Sequence, residues 1–150
     1  MNRVQHEDFD VGQEVRAHYK PGTGAVVSFV GLVRDYAQGA AVSAIELEYY
    51  PGMTEKLLTD IEAEAFSRWP LLQVTIIHRV GKLEAHEQIV LVVVSSAHRQ
   101  AAFEAAAFLM DYLKTRAPFW KKEWVNGEPH WVEAKASDAE AADRWSGSKP

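Results

Sequence analysis

Residues Gln88–Ser95 read Gln-Ile-Val-Leu-Val-Val-Val-Ser, apolar on both faces of an extended chain, and only the interior of a sheet accepts such a strand. The periods around it alternate between two and about four residues. Ala25–Arg34 is a mostly apolar, β-branched run suited to a central strand. Ser43–Tyr50 sets Ile45, Leu47 and Tyr49 on one face and Glu46 and Glu48 on the other, which is the pattern of a half-buried strand. After Pro51-Gly52, Met53, Leu57, Ile61, Ala65 and Trp69 recur every four residues and predict a helix that Pro70 closes. Leu72–Val80 returns to period two. A second helix is expected from His98 to Lys114, with Ala102, Ala106, Met110 and Leu113 facing inward, and Pro118 forbids its continuation. Phe119–Val125 and His130–Ala134 flank Asn126-Gly127, the strongest short hairpin signal. Ser137-Asp138-Ala139-Glu140 reads as a capping box for a short last helix. The order ββα-ββα-ββ(α) implies an α+β fold with mostly antiparallel strands.

At 150 residues the chain can bury a core of its own, and one domain over 1–150 is expected. It contains no cysteine, which excludes disulfides, thiolate metal sites and a cysteine nucleophile. The net charge of −5 argues against nucleic-acid binding through bulk charge. The longest uninterrupted apolar runs, Ile89–Val94 and Ala105–Met110, fall well short of the ~20 residues of a membrane span. No signal-peptide core is visible in Met1–Asp10, so a cytoplasmic protein is expected. His6, His18, His86 and His130 are scattered without metal spacing, and His78 lies on the apolar row of its strand as a core histidine would.

Three constellations carry possible chemistry. Lys114 continues the row Ala102, Ala106, Met110, so it is expected to be partly desolvated, with a pKa lowered toward proton transfer. The alternative is a stem that snorkels past the helix end, its charge complementing the helix C-terminus. Beyond Pro118, Phe119, Lys121 and Glu123 share one strand face; Trp120, Lys122 and Trp124 share the other, where Lys122 reads as a cation–π element. Residues 111–125 carry a net +2 in an acidic chain, which suggests an anionic ligand. The second constellation, Ser95-Ser96-Ala97-His98-Arg99, joins the apolar strand to a helix start. Either an anion binds there through His98, Arg99 and backbone N–H groups, or Ser96 merely caps the helix. The third is Gly31 within its strand, marking a bulge or close approach just before Arg34.

These residues compose longer words: Tyr50-Pro51-Gly52-Met53, Ile77-His78-Arg79-Val80-Gly81, Ser96-Ala97-His98-Arg99, and the block Met110-Asp111-Tyr112-Leu113-Lys114-Thr115-Arg116-Ala117-Pro118-Phe119-Trp120-Lys121. Arg68-Trp69-Pro70 and Trp131-Val132-Glu133-Ala134 belong with them. The sequence resembles the family of large, catalytic subunits of molybdopterin synthase from about Gly24 to Trp145, with weak likeness in residues 1–20 and 146–150. The resemblance implies an α/β hammerhead type of α+β domain. It implies a sulfurtransferase that turns cyclic pyranopterin monophosphate (precursor Z) into the dithiolene of molybdopterin, without a cofactor or metal of its own. The sulfur would arrive as a thiocarboxylate on the C-terminal Gly-Gly of a small ubiquitin-like subunit, within a heterotetramer built on a homodimer of the large one. By position, Lys114 and Lys121 match the catalytic lysines, and Arg34, His98 and Arg99 match a pocket for phosphate and pterin. Leu32, Val33, Lys122 and Glu123 are implied neighbours in the same cavity. A basic family position is Lys135 here, which keeps charge but loses the bidentate fork of arginine. A non-catalytic module binding a phosphorylated metabolite, or an interaction protein using the hairpin as a docking edge, are the competing readings. A chain without cysteine carries no persulfide, so under the enzyme reading every sulfur comes in on a partner.

Overall fold

The computed structural model describes residues 1–37, 39–117, 119–132 and 142–146. Nine strands and three helices follow one another among them: β1 (Asn2–Gln5), α1 (Val11–Arg16), β2 (Ala25–Leu32), β3 (Tyr36–Ala37), β4 (Ala40–Tyr49), α2 (Met53–Arg68), β5 (Leu71–Arg79), β6 (Gly81–Glu84), β7 (Gln88–Ser96), α3 (Arg99–Arg116), β8 (Phe119–Val125) and β9 (Glu128–Val132). One sheet has the order β1-β5-β7-β2; the other runs β3-β4-β8-β9, with β6 on the free side of β4. All pairs are antiparallel except β1 with β5. The class is therefore α+β, as the alternation of periods implied. The predicted order gains two short strands, β3 and β6, and a β1–α1 opening. The capping box at 137–140, Lys135 and the last two residues of the predicted strand His130–Ala134 lie outside the described residues.

The doubly apolar strand β7 explains the layering. Val90, Val92 and Val94 face α2 and α3, packing with Leu58, Ile61, Phe108 and Leu109. Leu91 and Val93 point the other way and meet Phe9, Val11 and Val15. A strand this apolar needs cover on both sides, because each fully exposed Val or Leu would forfeit about 1.5–3 kcal/mol of burial. The second cover is the N-terminal segment, to which the sequence reading gave no role. His18, at 0% exposure, completes that cover by bonding Ser95 Oγ through Nδ1 and Thr75 Oγ1 through Nε2, both at 2.9 Å. Ser95 Oγ in turn donates to Gln73 O at 3.4 Å, so the ring is satisfied on both sides as an uncharged imidazole. Burial holds its pKa below the ordinary histidine value.

Local chemistry sets the helix ends. Glu55 accepts from the Gly52 N–H at 2.8 Å, and Thr54 Oγ1 accepts from the Tyr50 N–H at 3.1 Å, which starts α2 just after Pro51-Gly52. Asn126 (φ 54°) and Gly127 (φ 80°) form the β8–β9 turn in the left-handed backbone region, as the dipeptide predicts. Against the outer side of α2 and α3, Trp145 lies edge-on to Trp69 and Phe108 and donates to Asp111 Oδ2 at 2.7 Å.

Candidate functional site

The strand β2 changes phase at Gly31. Up to that point Val27 packs on the α3 side of the sheet, while Val26 and Val30 pack on the other. Between Gly31 and Leu32 the register with β7 slips, so that Gly31 pairs with Val90 and Leu32 with Gln88. A β-carbon at Gly31 would lie 2.7 Å from Val90 Cγ1, a distance real contacts do not reach, so both halves of the sequence expectation for this glycine hold. The bulge turns Leu32 to the same side as Gly31. Val33 then drops into the core at 1% exposure, and Arg34 emerges beside Leu32.

Leu32 and Arg34 thereby enter a pocket of about 270 Å³. The last turn of α3 supplies Met110, Leu113 and Lys114; β8 supplies Phe119 and Lys121; Ile45 and Leu47 of β4 and His78 of β5 close its floor. Three of these groups are cations, and among the described residues no carboxylate lines the pocket. Lys114 is exposed in the single chain, so the desolvation expected for it is absent. It stands one step beyond the apolar stripe of α3, where the helix C-terminus complements its charge, so the alternative reading describes its surroundings better. Lys121 is half-buried and points inward from β8 opposite Val132.

His78 is the polar residue that sequence reasoning missed, having assigned it to the core. Its ring stacks flat on Phe119 with centroids 3.9 Å apart and 17° between planes, joining the two sheets at the pocket. Nδ1 lies 2.8 Å from the Arg79 carbonyl, which can only accept, so Nδ1 carries the hydrogen. Burial depresses the pKa of His78 to about 4; the hydrogen bond to the Arg79 carbonyl opposes it in part, and the charge of Lys114 adds a smaller push downward. Its place in the word Ile77-His78-Arg79-Val80-Gly81 was the signal available.

Because His18 and His78 are both held below the ordinary value of 6.5, the unfolded chain takes up protons that the fold refuses. Their stabilisation is complete above pH 6.5 and is lost as pH falls, for His78 until about pH 4. Between pH 7 and 5 the His78 share alone amounts to about 2 kcal/mol. Urea unfolding at the two pH values should show this loss; a flat profile contradicts the neutral, buried rings.

The other expected site residues lie elsewhere. Lys122 is on the opposite face of β8 from Lys121, its Nζ 4.5 Å from the Trp131 ring, in the cation–π contact foreseen for it. Glu123 shares the face of Lys121 but sits further along the strand, opposite His130 and Ile45, and does not line the pocket. Val33 is core. Ser96 does not cap α3: it is buried and donates to Pro70 O at 2.8 Å. His98 occupies the N-cap position without a side-chain cap bond, followed by exposed Arg99 and no acid in the first turn. That pole is open to an anion, yet Lys114 is sixteen residues and about 24 Å away along the helix axis. Among the described residues no group of His, Asp and Glu has the makings of a metal site, and no helix is long and apolar enough to cross a membrane.

The chain is similar to proteins of known family. It is 59% identical over 145 residues to the molybdopterin synthase catalytic subunit of Pseudomonas aeruginosa, covering 95% of this chain and 97% of that one. Its fold superposes with a TM-score of 0.83 on the molybdopterin biosynthesis MoaE protein from Burkholderia ambifaria, at 49% identity and 98% coverage of both chains. The crystal structure of molybdopterin synthase from Staphylococcus aureus matches with a TM-score of 0.82 at 33% identity, covering 87% of this chain and 95% of that one. Residues 4–116 match the family described as MoaE protein, and with three quarters of its length inside that match the chain belongs to this family.

Proposed function

We propose that this chain is the catalytic subunit of a molybdopterin synthase, a sulfurtransferase of molybdenum cofactor biosynthesis. It moves two sulfurs from the thiocarboxylated Gly-Gly end of a small ubiquitin-like subunit to cyclic pyranopterin monophosphate. The observation that carries the reading is the convergence of Arg34, Lys114 and Lys121 in one pocket. A phosphate and a thiocarboxylate are both anions, and a pocket of cations in an acidic chain suits both. Lys114 and Lys121 pair with the incoming thiocarboxylate, stabilise oxyanionic intermediates and relay protons as carbon–oxygen bonds are exchanged for carbon–sulfur bonds. The chain has no cysteine, so the partner brings both sulfurs.

His98 and Arg99 belong to this reading through a second copy. A ligand held in about 270 Å³ cannot also reach the far end of α3, about 24 Å away. In the homodimer, His98 and Arg99 of the partner subunit complete the anion site beside Lys114. The cysteine-free composition suits a cytoplasmic setting, and residues 1–150 act as one unit.

The test is reconstitution with the thiocarboxylated small subunit and cyclic pyranopterin monophosphate. Dithiolene product supports the reading. Tight pterin binding without product, in the presence of active partner, supports the non-catalytic module instead.

A further inference from the structure

The charged side chains lining the pocket, Arg34, Lys114 and Lys121, are all hydrogen-bond donors with no acceptor capacity. Apart from the weak thioether of Met110, the lining side chains among the described residues include one acceptor, and it is the imidazole of His78. Nδ1 is spent on the Arg79 carbonyl at 2.8 Å. Nε2, on the far side of the ring, bonds no protein group among the described residues. The flat stack on Phe119 fixes the ring plane and the Nδ1 bond to Arg79 fixes which edge faces which way, so this lone pair has a set direction. A reduced pterin has N–H groups along its edge. Three cations can hold its phosphate and the thiocarboxylate, but none of them can receive a hydrogen from the ring system.

We propose that His78 determines specificity by accepting a hydrogen bond at Nε2 from an N–H donor on the edge of the bound pterin. The inference rests on the reading of the chain as a molybdopterin synthase subunit. The cations handle the anionic parts of the two reactants, and His78 reads the neutral heterocycle. An ordinary histidine among cations titrates near neutrality and can turn into a fourth donor. Burial and the neighbouring charge of Lys114 keep this one unprotonated at physiological pH, so the acceptor persists.

The test is anaerobic titration of the purified chain with cyclic pyranopterin monophosphate at pH 7.5, together with KM and kcat in the reconstituted reaction. His78→Phe preserves the stack on Phe119 and removes the acceptor, so binding should weaken about tenfold or more, with the change falling on KM rather than kcat. His78→Gln places an amide oxygen near the Nε2 position and should restore affinity to within about threefold of wild type. His78→Asn reaches only the Nδ1 position and should behave like the phenylalanine variant. Wild-type affinity in His78→Phe, or equal affinities in His78→Gln and His78→Asn, overturns the assignment. The glutamine–asparagine pair decides the matter alone if the phenylalanine variant does not fold. Failure of the wild type to bind the pterin overturns the assignment together with the functional reading, whereas wild-type turnover with an indifferent His78 overturns the assignment only.

Discussion

Lys114→Ala and Lys121→Ala each lower turnover by about two to three orders of magnitude, while the melting temperature stays within about 2 °C of wild type. The kinetic expectation comes from the pocket: removing one of three cations withdraws a partner from an anionic reactant and a proton donor from the exchange. The stability expectation comes from placement. Lys114 is exposed at the end of α3, and Lys121 lies at the pocket wall, so neither holds the core together. Single-turnover formation of the dithiolene, with excess thiocarboxylated partner, measures the effect. Arginine at each position separates the two roles. It keeps the charge and never gives up a proton, so the lysine that only pairs with an anion tolerates arginine and the one that relays protons does not. Turnover within about threefold of wild type in both alanine variants would remove these lysines from the mechanism.

Mixing two inactive variants should restore activity. Lys114→Ala lacks the last-turn lysine of α3, and Arg99→Ala lacks the arginine at the start of the same helix, about 22 Å away. If each site draws on both ends of α3 from different copies, a mixed dimer holds one doubly damaged site and one intact site. Random reassortment makes about half the dimers mixed, so roughly a quarter of wild-type activity returns. Partial unfolding and re-annealing, or co-expression, supplies the exchange. Summed background activity with no recovery, in a sample shown to contain mixed dimers, means that Arg99 serves the site of its own chain or none.

Much of the fold was legible because hydrophobic period and turn chemistry are local. Phe119–Val125 begins and ends where proline, alternation and Asn126-Gly127 place it, and Met53–Arg68 is bounded by Gly52 and Pro70 as expected. β6 is four residues long and carries a single buried side chain, Leu83, which is too little to register as a period. β1 and α1 were passed over because their purpose is remote: β1 extends the sheet by pairing with β5, and α1 with Phe9 covers the second face of β7, each some seventy residues later. In the site, the longest word placed Lys114 and Lys121 in one pocket. His78 escaped because alternation tells which face a side chain is on, not whether that face is closed by core or by cavity. Lys122 shows the reverse, since next to Lys121 in sequence means opposite to it across the sheet.

The slip at Gly31 divides one strand between two masters. Before it, Val26, Val27 and Val30 are half-buried against the core on either side of the sheet, so changes there are felt as changes in packing. After it, alternate positions face the pocket instead, with Leu32 and Arg34 lining it and Val33 between them still serving the core. Variation along this strand should therefore split at Gly31: conservative in volume upstream, conservative in chemistry at every second residue downstream. Deleting a single residue there would bring the strand back into regular phase and turn Arg34 away from the pocket, leaving a well-paired sheet around a cavity short of one cation.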